Sequence, residues 1–358
     1  MGNKSHILRT SAAVIIITGL FAFSGCQKPE NGNAGDSSAK VTETETKEET
    51  ISFPITIDLG YSTGRDDPRG VSLDEFRKNV ENESNGNIRI CIHPSGEEGS
   101  DEELISKMIT GDIDMTVSSA GNYATYSTRL GVTALPFLFD DFESAWEFVD
   151  SDTMNDIGSD LEVYNMHVLS WFDNGFRCVT TSEKKGPVRS IEDMKGLNIR
   201  IPDNHIVMET MYALGADPKV YPFAKLKEAL KNDMFDAQEN PIPVICTNRL
   251  YEVQKYLTVT NHSYDAMPLT IRYDLWKKIP EKYRNILTEQ AAVAQKQDRE
   301  LVAAQTKDFI QALQNEGMEI IHPDLKPFKD ATSDVIDKFS VSYGVDLIDM
   351  IGEIQNGN

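Results

Sequence analysis

Apolar residues switch between helical and alternating spacing several times along the chain. They recur at helical spacing at 73–80, and the segment IRICI at 88–92 then alternates as a strand does. A second helical pattern at 104–109 is expected to stop at Gly111, before the strand IDMTV. Strands that alternate with amphipathic helices predict α/β domains with largely parallel sheets, which bind ligands at the carboxyl ends of strands.

The second half of the chain continues this alternation. The motif SIED at 190–193 is typical of a capped short helix, LNIRI at 197–201 alternates as a strand, and a helix around 205–214 is expected to end at Gly215. From 280 to 314 a helical pattern runs without internal Gly or Pro. At about 1.5 Å per residue this helix would exceed about 50 Å, enough to run along two domains as a spine.

One strand residue differs from its surroundings. Arg200 lies in the middle of the β-branched segment LNIRIP, in a chain with a formal net charge of −22. It is either an ordinary solvent-facing strand residue or an arginine kept for a ligand. The strand pattern leaves both interpretations open.

The N-terminus has the pattern of a lipoprotein signal. Lys4 and Arg9 precede an apolar run that is too short to span a bilayer stably, and the run ends in FSGC. FSGC resembles a lipobox, which predicts a signal peptide at 1–25 and a lipid on Cys26; a plain signal peptide with a chance cysteine is the alternative. Residues 26–52 contain almost no large apolar side chain and are predicted to be a disordered tether. This layout predicts an extracytoplasmic protein anchored by lipid to the cell membrane.

Charge and cysteine content further narrow the class of protein. Residues 1–25 hold two basic and no acidic residues, so their removal takes the formal net charge from −22 to about −24. A body this acidic is not expected to bind nucleic acid through general electrostatics. Cys91, Cys178 and Cys246 are odd in number and far apart, which gives neither zinc spacing nor a disulfide framework and favours free buried thiols.

Motifs for catalysis are missing from the sequence. It contains no phosphate-binding loop, nucleophile elbow, zinc-protease motif or dinucleotide fingerprint. The five histidines after the signal segment show no ligand spacing and are interpreted as packing or surface residues: His93, His167, His205, His262 and His322. A binding protein without cofactor or metal is therefore favoured over an enzyme.

Six segments together resemble one family. In chain order they are WFDNGFRCVTTS, SIEDMKGLNIRIP, ALGADPKVYPF, FDAQENP, LYEVQKYLTVTNH and IHPDLKPFK. Their order and spacing resemble the solute-binding proteins of tripartite ATP-independent periplasmic (TRAP) transporters, from about Ile55 to the C-terminus and most strongly between Trp171 and His262.

The resemblance implies a periplasmic-binding-protein-like α/β fold of two lobes that close on a ligand. Crossing hinge strands and a long spine helix would join the lobes. The predicted boundaries are 53–174 plus 263–303 for lobe I and 175–262 plus 304–358 for lobe II. The implied partners are a small organic acid and the membrane subunits of a TRAP permease, and the implied state is a monomer.

The resemblance also implies the site residues. Arg200 would form a paired salt bridge with the ligand carboxylate, and further ligand contacts would come from Arg177, Asn240, Phe223, Tyr61, Ser119 and Asn122. Trp171 and Asp173 are weaker candidates, since core packing and hinge hydrogen bonding explain them equally well. A structural role also stays open for three of the others: a surface strand position for Arg177, an N-cap for Asn240 and core packing for Phe223.

The sequence departs from the family pattern at four positions. Lys225 and Lys227 replace an acidic residue and a tyrosine, and Asp233 and Ala237 replace glycines. The first lobe shows no glutamate or arginine of the kind used for sialic acid, which favours a smaller sugar acid such as a hexuronate, with a C4-dicarboxylate second. A sensor subunit for a signalling partner and an enzyme acting on a sugar acid are the competing functions.

Overall fold

The computed structural model describes residues 51–340 and 345–355, which lie within one compact unit, Glu48–Asn358. The predicted signal peptide, Cys26 and the predicted tether up to residue 50 lie outside the described residues. Within the described ranges no helix is both long and apolar enough to cross a membrane.

The chain alternates strands and helices as predicted. The strands are β1 (Ile55–Gly60), β2 (Ile88–His93), β3 (Met115–Val117), β4 (Met166–Thr181), β5 (Asn198–Ile201), β6 (Asp217–Val220), β7 (Ala237–Pro241), β8 (Tyr256–Arg272) and β9 (Glu319–Ile321). The helices are α1 (Pro68–Glu83), α2 (Asp101–Thr110), α3 (Phe142–Val149), α4 (Asp152–Ser159), α5 (His205–Ala213), α6 (Leu226–Lys231), α7 (Ile242–Thr247), α8 (Tyr273–Lys278), α9 (Glu281–Asn315), α10 (Lys326–Ser340) and α11 (Val345–Gln355).

Two long antiparallel strands connect the halves of the sheet. The order is β2-β1-β3-β8-β4-β7-β5-β6, with β9 also paired to β8. One end of β8 pairs with β3, and the far end of β4 pairs with β7. Pairing is parallel within each half and antiparallel where β4 and β8 join them, so the largely parallel expectation is correct only away from the crossing strands. The mixed α/β architecture with crossing strands therefore agrees with the prediction.

Local signals set the helix boundaries. The predicted face of α1, with Leu73, Phe76 and Val80, is fully buried. A capping box at Ser100 begins α2, and Gly111 ends it with a φ of 87°. The predicted spine is α9, whose 35 residues pack against α1 in one half and α7 in the other.

The cysteine prediction is partly wrong. Cys91, Cys178 and Cys246 are free, as expected, but Cys91 is exposed and Cys246 is only partly buried. Strand geometry explains Cys91, because Ile88, Ile90 and Ile92 occupy the buried face of β2 and leave the intervening residues facing solvent.

At two of the positions that depart from the family pattern, the backbone accommodates a residue other than glycine. Asp233 adopts a φ of 54° in the turn before β7, a left-handed conformation that Asp tolerates better than most residues. Ala237 is fully buried at the start of β7.

Candidate ligand-binding site

A cleft of about 540 Å³, partly open to solvent, lies at the carboxyl ends of the parallel strands. Residues from both halves of the sheet line it: Ser62, Thr63, Arg69, Ser100, Asp101, Glu102, Ser119, Asn122, Asn174, Arg177, Arg200, Pro202, Phe223, Asn240, Val244 and Asp265. The structure thus brings together six predicted site residues: Arg200, Arg177, Asn240, Phe223, Ser119 and Asn122.

Arg200 is a buried cation without a carboxylate partner. Its side chain projects from β5 into the cleft with the residue only 3% exposed, which excludes the solvent-facing interpretation. Its Nε donates to the Tyr221 carbonyl at 2.7 Å, and its Cζ lies 5.9 Å from the centre of the Phe223 ring. Among the described residues no acid forms an ion pair with it. Burial is the main reason that the pKa of Arg200 falls to about 10, so it remains charged at neutral pH.

Arg177, unlike Arg200, is paired with carboxylates of the protein. Its Nε and Nη2 donate to the two carboxylate oxygens of Glu239 at 2.5 and 2.8 Å, and its Nη1 donates to Asp265 Oδ2 at 2.6 Å. Burial alone would lower the pKa of Arg177, but the two carboxylates outweigh it and raise the pKa above its usual range. Since protein acceptors occupy most of its donors, Arg177 is built into the cleft wall and has little capacity left for a ligand.

Glu239 is held as a buried carboxylate by its neighbours. Burial would raise its pKa, but Arg177 and the nearby His262 ring, whose Nε2 lies 3.3 Å from Oε2, lower it to about 2. The ion pair therefore persists over the physiological pH range.

This depressed pKa predicts an acid-dependent contribution to stability. A carboxyl whose pKa falls from 4.5 to about 2 on folding stabilises the protein above pH 4.5, by about 3 kcal/mol. That stabilisation is lost as the pH falls from 4.5 towards 2. We expect Glu239→Gln to be less stable than the wild type at pH 7 and the difference to shrink through this window. Chemical denaturation at a series of pH values would measure it, and a difference independent of pH would contradict the assignment.

Several polar atoms of the cleft have no partner among the described residues. Thr63 Oγ1 and Asn122 Oδ1 are buried without a hydrogen-bond partner there, and Arg69 Nε has only the Asp67 carboxylate at 3.7 Å. Buried polar groups are nearly always hydrogen-bonded in folded proteins, so water or a ligand would have to supply the missing partners.

Ten of the lining residues were missed in the sequence, and three of these, Arg69, Asn174 and Asp265, form one hydrogen-bonded chain. Arg69 Nη2 donates to Asn174 Oδ1 at 3.1 Å, and Asn174 Nδ2 donates to Asp265 Oδ2 at 2.9 Å. Asp265 also accepts a short hydrogen bond from Ser119. Asn174 lies inside the segment WFDNGFR and could have been found there, whereas Arg69 and Asp265 carry no local signal, because tertiary pairing alone brings them to the cleft.

Formal charges at the cleft lean towards the negative. The lining arginines Arg69, Arg177 and Arg200 face the lining acids Asp101, Glu102 and Asp265. Glu239 adds a carboxylate behind Arg177, and Asp67 adds one 3.7 Å from Arg69 Nε. The cleft therefore has no general positive surplus, and among the described residues Arg200 is the lining arginine that no acid pairs with.

Three predicted residues lie away from the cleft wall. Tyr61 is fully buried beneath it, and burial raises its pKa to about 12. Trp171 packs in the core of the first half of the sheet. Asp173 accepts hydrogen bonds from Trp146 Nε1 at 2.7 Å and from the Gly175 amide at 2.6 Å. Core packing accounts for Trp171, and hydrogen bonds to α3 and within β4 account for Asp173.

Position in the fold bears on the structural alternatives for Asn240 and Phe223. Pro241, not Asn240, occupies the N-cap position of α7. Asn240 instead accepts from Arg177 Nη2 at 3.3 Å. Phe223 is partly buried at the edge of a hydrophobic cluster and also lines the cleft, so its packing is compatible with the predicted ligand contact.

Comparison with known proteins decides the class. Residues 59–342 match the family described as bacterial extracellular solute-binding protein, family 7 (DctP). The chain belongs to this family. Among DctP relatives, the 2,3-diketo-L-gulonate-binding periplasmic protein YiaO of Escherichia coli (strain K12) is 30% identical over 301 residues, which cover 83% of this chain and 91% of that protein.

Solved DctP-type structures share the fold. The sugar-acid-binding protein DctPAm of Advenella mimigardefordensis, in complex with galactonate, has a TM-score of 0.81 at 25% identity and covers 85% of this chain and 98% of its own. A TRAP periplasmic solute-binding protein of Pseudomonas putida F1 with bound D-glucuronate has a TM-score of 0.79 at 28% identity, covering 84% and 97%. The family resemblance and the two-lobe fold are therefore confirmed.

Proposed function

We propose that this DctP-family protein captures a sugar acid with one carboxylate and delivers it to a TRAP-type permease. The observation that carries the proposal is Arg200, a buried guanidinium in the cleft with which no acid in the described part of the chain pairs. A planar guanidinium with free Nη groups suits both oxygens of a carboxylate. Closure of the cleft would remove water and strengthen this ion pair.

The remaining polar atoms suit hydroxyl groups. Thr63 Oγ1 and Asn122 Oδ1 are buried without partners, and the carboxylates of Asp101 and Asp265 also line the cleft. Carboxylate and amide oxygens accept hydrogen bonds from hydroxyls. A hydroxylated chain attached to the carboxylate would supply these partners.

The charge balance favours a monoanion over a dianion. The second carboxylate of a C4-dicarboxylate would have to approach Arg69, which already lies near Asp67, or the lining acids. Like charges in a partly desolvated cleft repel more strongly than in water. Relatives of known structure with bound galactonate and D-glucuronate support the same choice.

A thermal-shift screen tests the ligand class. The panel would contain D-glucuronate, galactonate, L-gulonate, succinate and neutral glucose. At about 100 times Kd, a ligand stabilises the folded state by about 2.7 kcal/mol. We expect at least one sugar acid to raise the melting temperature and glucose to leave it unchanged. A shift with succinate or glucose alone would refute the proposal, and recovery of chemically altered ligand from the denatured complex would favour an enzyme.

Ligand binding should depend on Gly121. A Cβ at this residue would lie 1.8 Å from the Asn204 side chain, which caps α5 in the other half of the sheet. We expect Gly121→Ala to force these two segments apart, which lowers the apo melting temperature and weakens ligand binding. Gly352 is the matched control, since a Cβ there meets no atom within 4 Å. Calorimetric titration of both variants would measure the effect, and wild-type affinity in Gly121→Ala would contradict it.

We further propose that Cys26 carries a lipid and that the protein acts as a monomer. The sequence FSGC after an apolar run supports the anchor. Cys26→Ser should release the protein from the membrane fraction, and retention after a high-salt wash would refute the anchor. Uptake of a labelled sugar acid that requires this chain together with a permease would test delivery.

A further inference from the structure

Three possible metal ligands lie together on the solvent side of the first two strands. In the parallel pairing of β1 with β2, Asp58 is opposite Cys91. His93 lies two residues further along β2, on the same face as Cys91. Cys91 is exposed, and the Asp58 and His93 side chains are 50% and 22% exposed. None of the three lines the ligand cleft.

We propose that Asp58, Cys91 and His93 form a binding site for a thiophilic divalent metal ion, Zn²⁺ above all. One ligand atom from each residue lies within 4.8 Å of the other two, and His93 Nε2 is 2.8 Å from Asp58 Oδ1. In a tetrahedral zinc site, metal–ligand bonds of about 2.0–2.3 Å place ligand atoms about 3.3–3.6 Å apart. Small side-chain rotations reach this spacing without movement of the strands.

The surroundings orient the histidine for metal binding. While Nε2 faces Asp58, the other ring nitrogen, Nδ1, lies 4.0 Å from Glu98 Oε1. A metal-bound histidine commonly donates its second N–H to a carboxylate, which fixes the ring and strengthens the ligand. Glu98 is itself held by Lys107 Nζ at 2.8 Å. The proposed site therefore has three ligands and a carboxylate, Glu98, that a small rotation would bring into hydrogen-bond range of His93 Nδ1.

The ligand set selects the metal. A thiolate with an imidazole suits Zn²⁺ and related ions, whereas Mg²⁺ and Ca²⁺ prefer oxygen ligands alone. Binding releases the thiol proton of Cys91, because the thiolate is the metal ligand.

Cobalt absorption tests the site directly. Every sample is the full-length chain with Cys26→Ser, without a histidine tag and treated with chelator. Titration with Co²⁺ should produce thiolate-to-cobalt absorption at one equivalent, and Zn²⁺ should abolish it. Cys91→Ser should remove the absorption, and His93→Gln and Asp58→Asn should weaken Co²⁺ binding at least about tenfold. Glu98→Gln should weaken it by about ten- to a hundredfold.

The control is Cys246→Ser, which removes a partly buried thiol elsewhere and should leave the titration unchanged. Circular dichroism confirms that each variant folds. Thiolate absorption that survives Cys91→Ser, or an absence of absorption in the parent chain, would overturn the proposal. Magnesium or calcium that displaces Co²⁺ as well as Zn²⁺ does would overturn the metal class.

Discussion

Arg200→Ala should weaken sugar-acid binding by about thirty- to several-thousand-fold. The ligand carboxylate would enter the cleft without its partner, and loss of one member of a buried charge pair costs about 2–5 kcal/mol. Arg200→Lys should also bind poorly, because an ammonium group cannot reproduce the planar fork. Isothermal titration with the best ligand from the thermal-shift screen would measure both variants. Arg89, an exposed strand arginine on β2, provides the matched control.

The apo protein should tolerate the loss of Arg200. Among the described residues its side chain donates one hydrogen bond, to the Tyr221 carbonyl, and burial already lowers its pKa to about 10. Removal of an uncompensated buried charge relieves a desolvation cost. The apo melting temperature is therefore expected to stay constant or rise. A drop of several degrees with affinity retained would identify Arg200 as a structural residue.

Arg177→Ala should instead destabilise the fold. It would leave the buried carboxylates of Glu239 and Asp265 without the guanidinium that both contact. Loss of one member of a buried ion pair costs about 3–5 kcal/mol, which corresponds to about 5–8 °C in melting temperature for a folded body of about 300 residues. Differential scanning calorimetry of the apo protein would measure the loss.

The two arginines thus give opposite signatures. Arg200 variants should lose affinity and keep stability, whereas Arg177 variants should lose stability first. Comparison in the same buffer, with Arg89→Ala beside them, separates the two roles. An Arg177→Ala protein that melts like the wild type and loses only affinity would show that its carboxylate partners serve the ligand site.

The proposed metal site illustrates what spacing in sequence leaves out. Cys91 and His93 are two residues apart on β2, but the nearest carboxylate ligand, Asp58, comes from another strand 33 residues earlier than Cys91. A sequence motif identifies metal ligands that lie on the same secondary-structure element. The parallel register of β1 and β2 brings the third ligand to the other two.

Local patterns in the sequence predicted α1, α2, α5, α9 and the strand that carries Arg200, and they left the role of Arg200 open. Periodicity fixed the buried face of α1, a capping box and Gly111 bounded α2, and an unbroken helical pattern gave α9, because each signal acts within a few residues. The tertiary structure decided the charge partners. Glu239 and Asp265 lie 62 and 88 residues from Arg177, yet the crossing strands place both against it and leave Arg200 without an acid. Both arginines lie in family motifs. Strand register, which depends on the whole sheet, places Arg177 against protein carboxylates and Arg200 in the cleft.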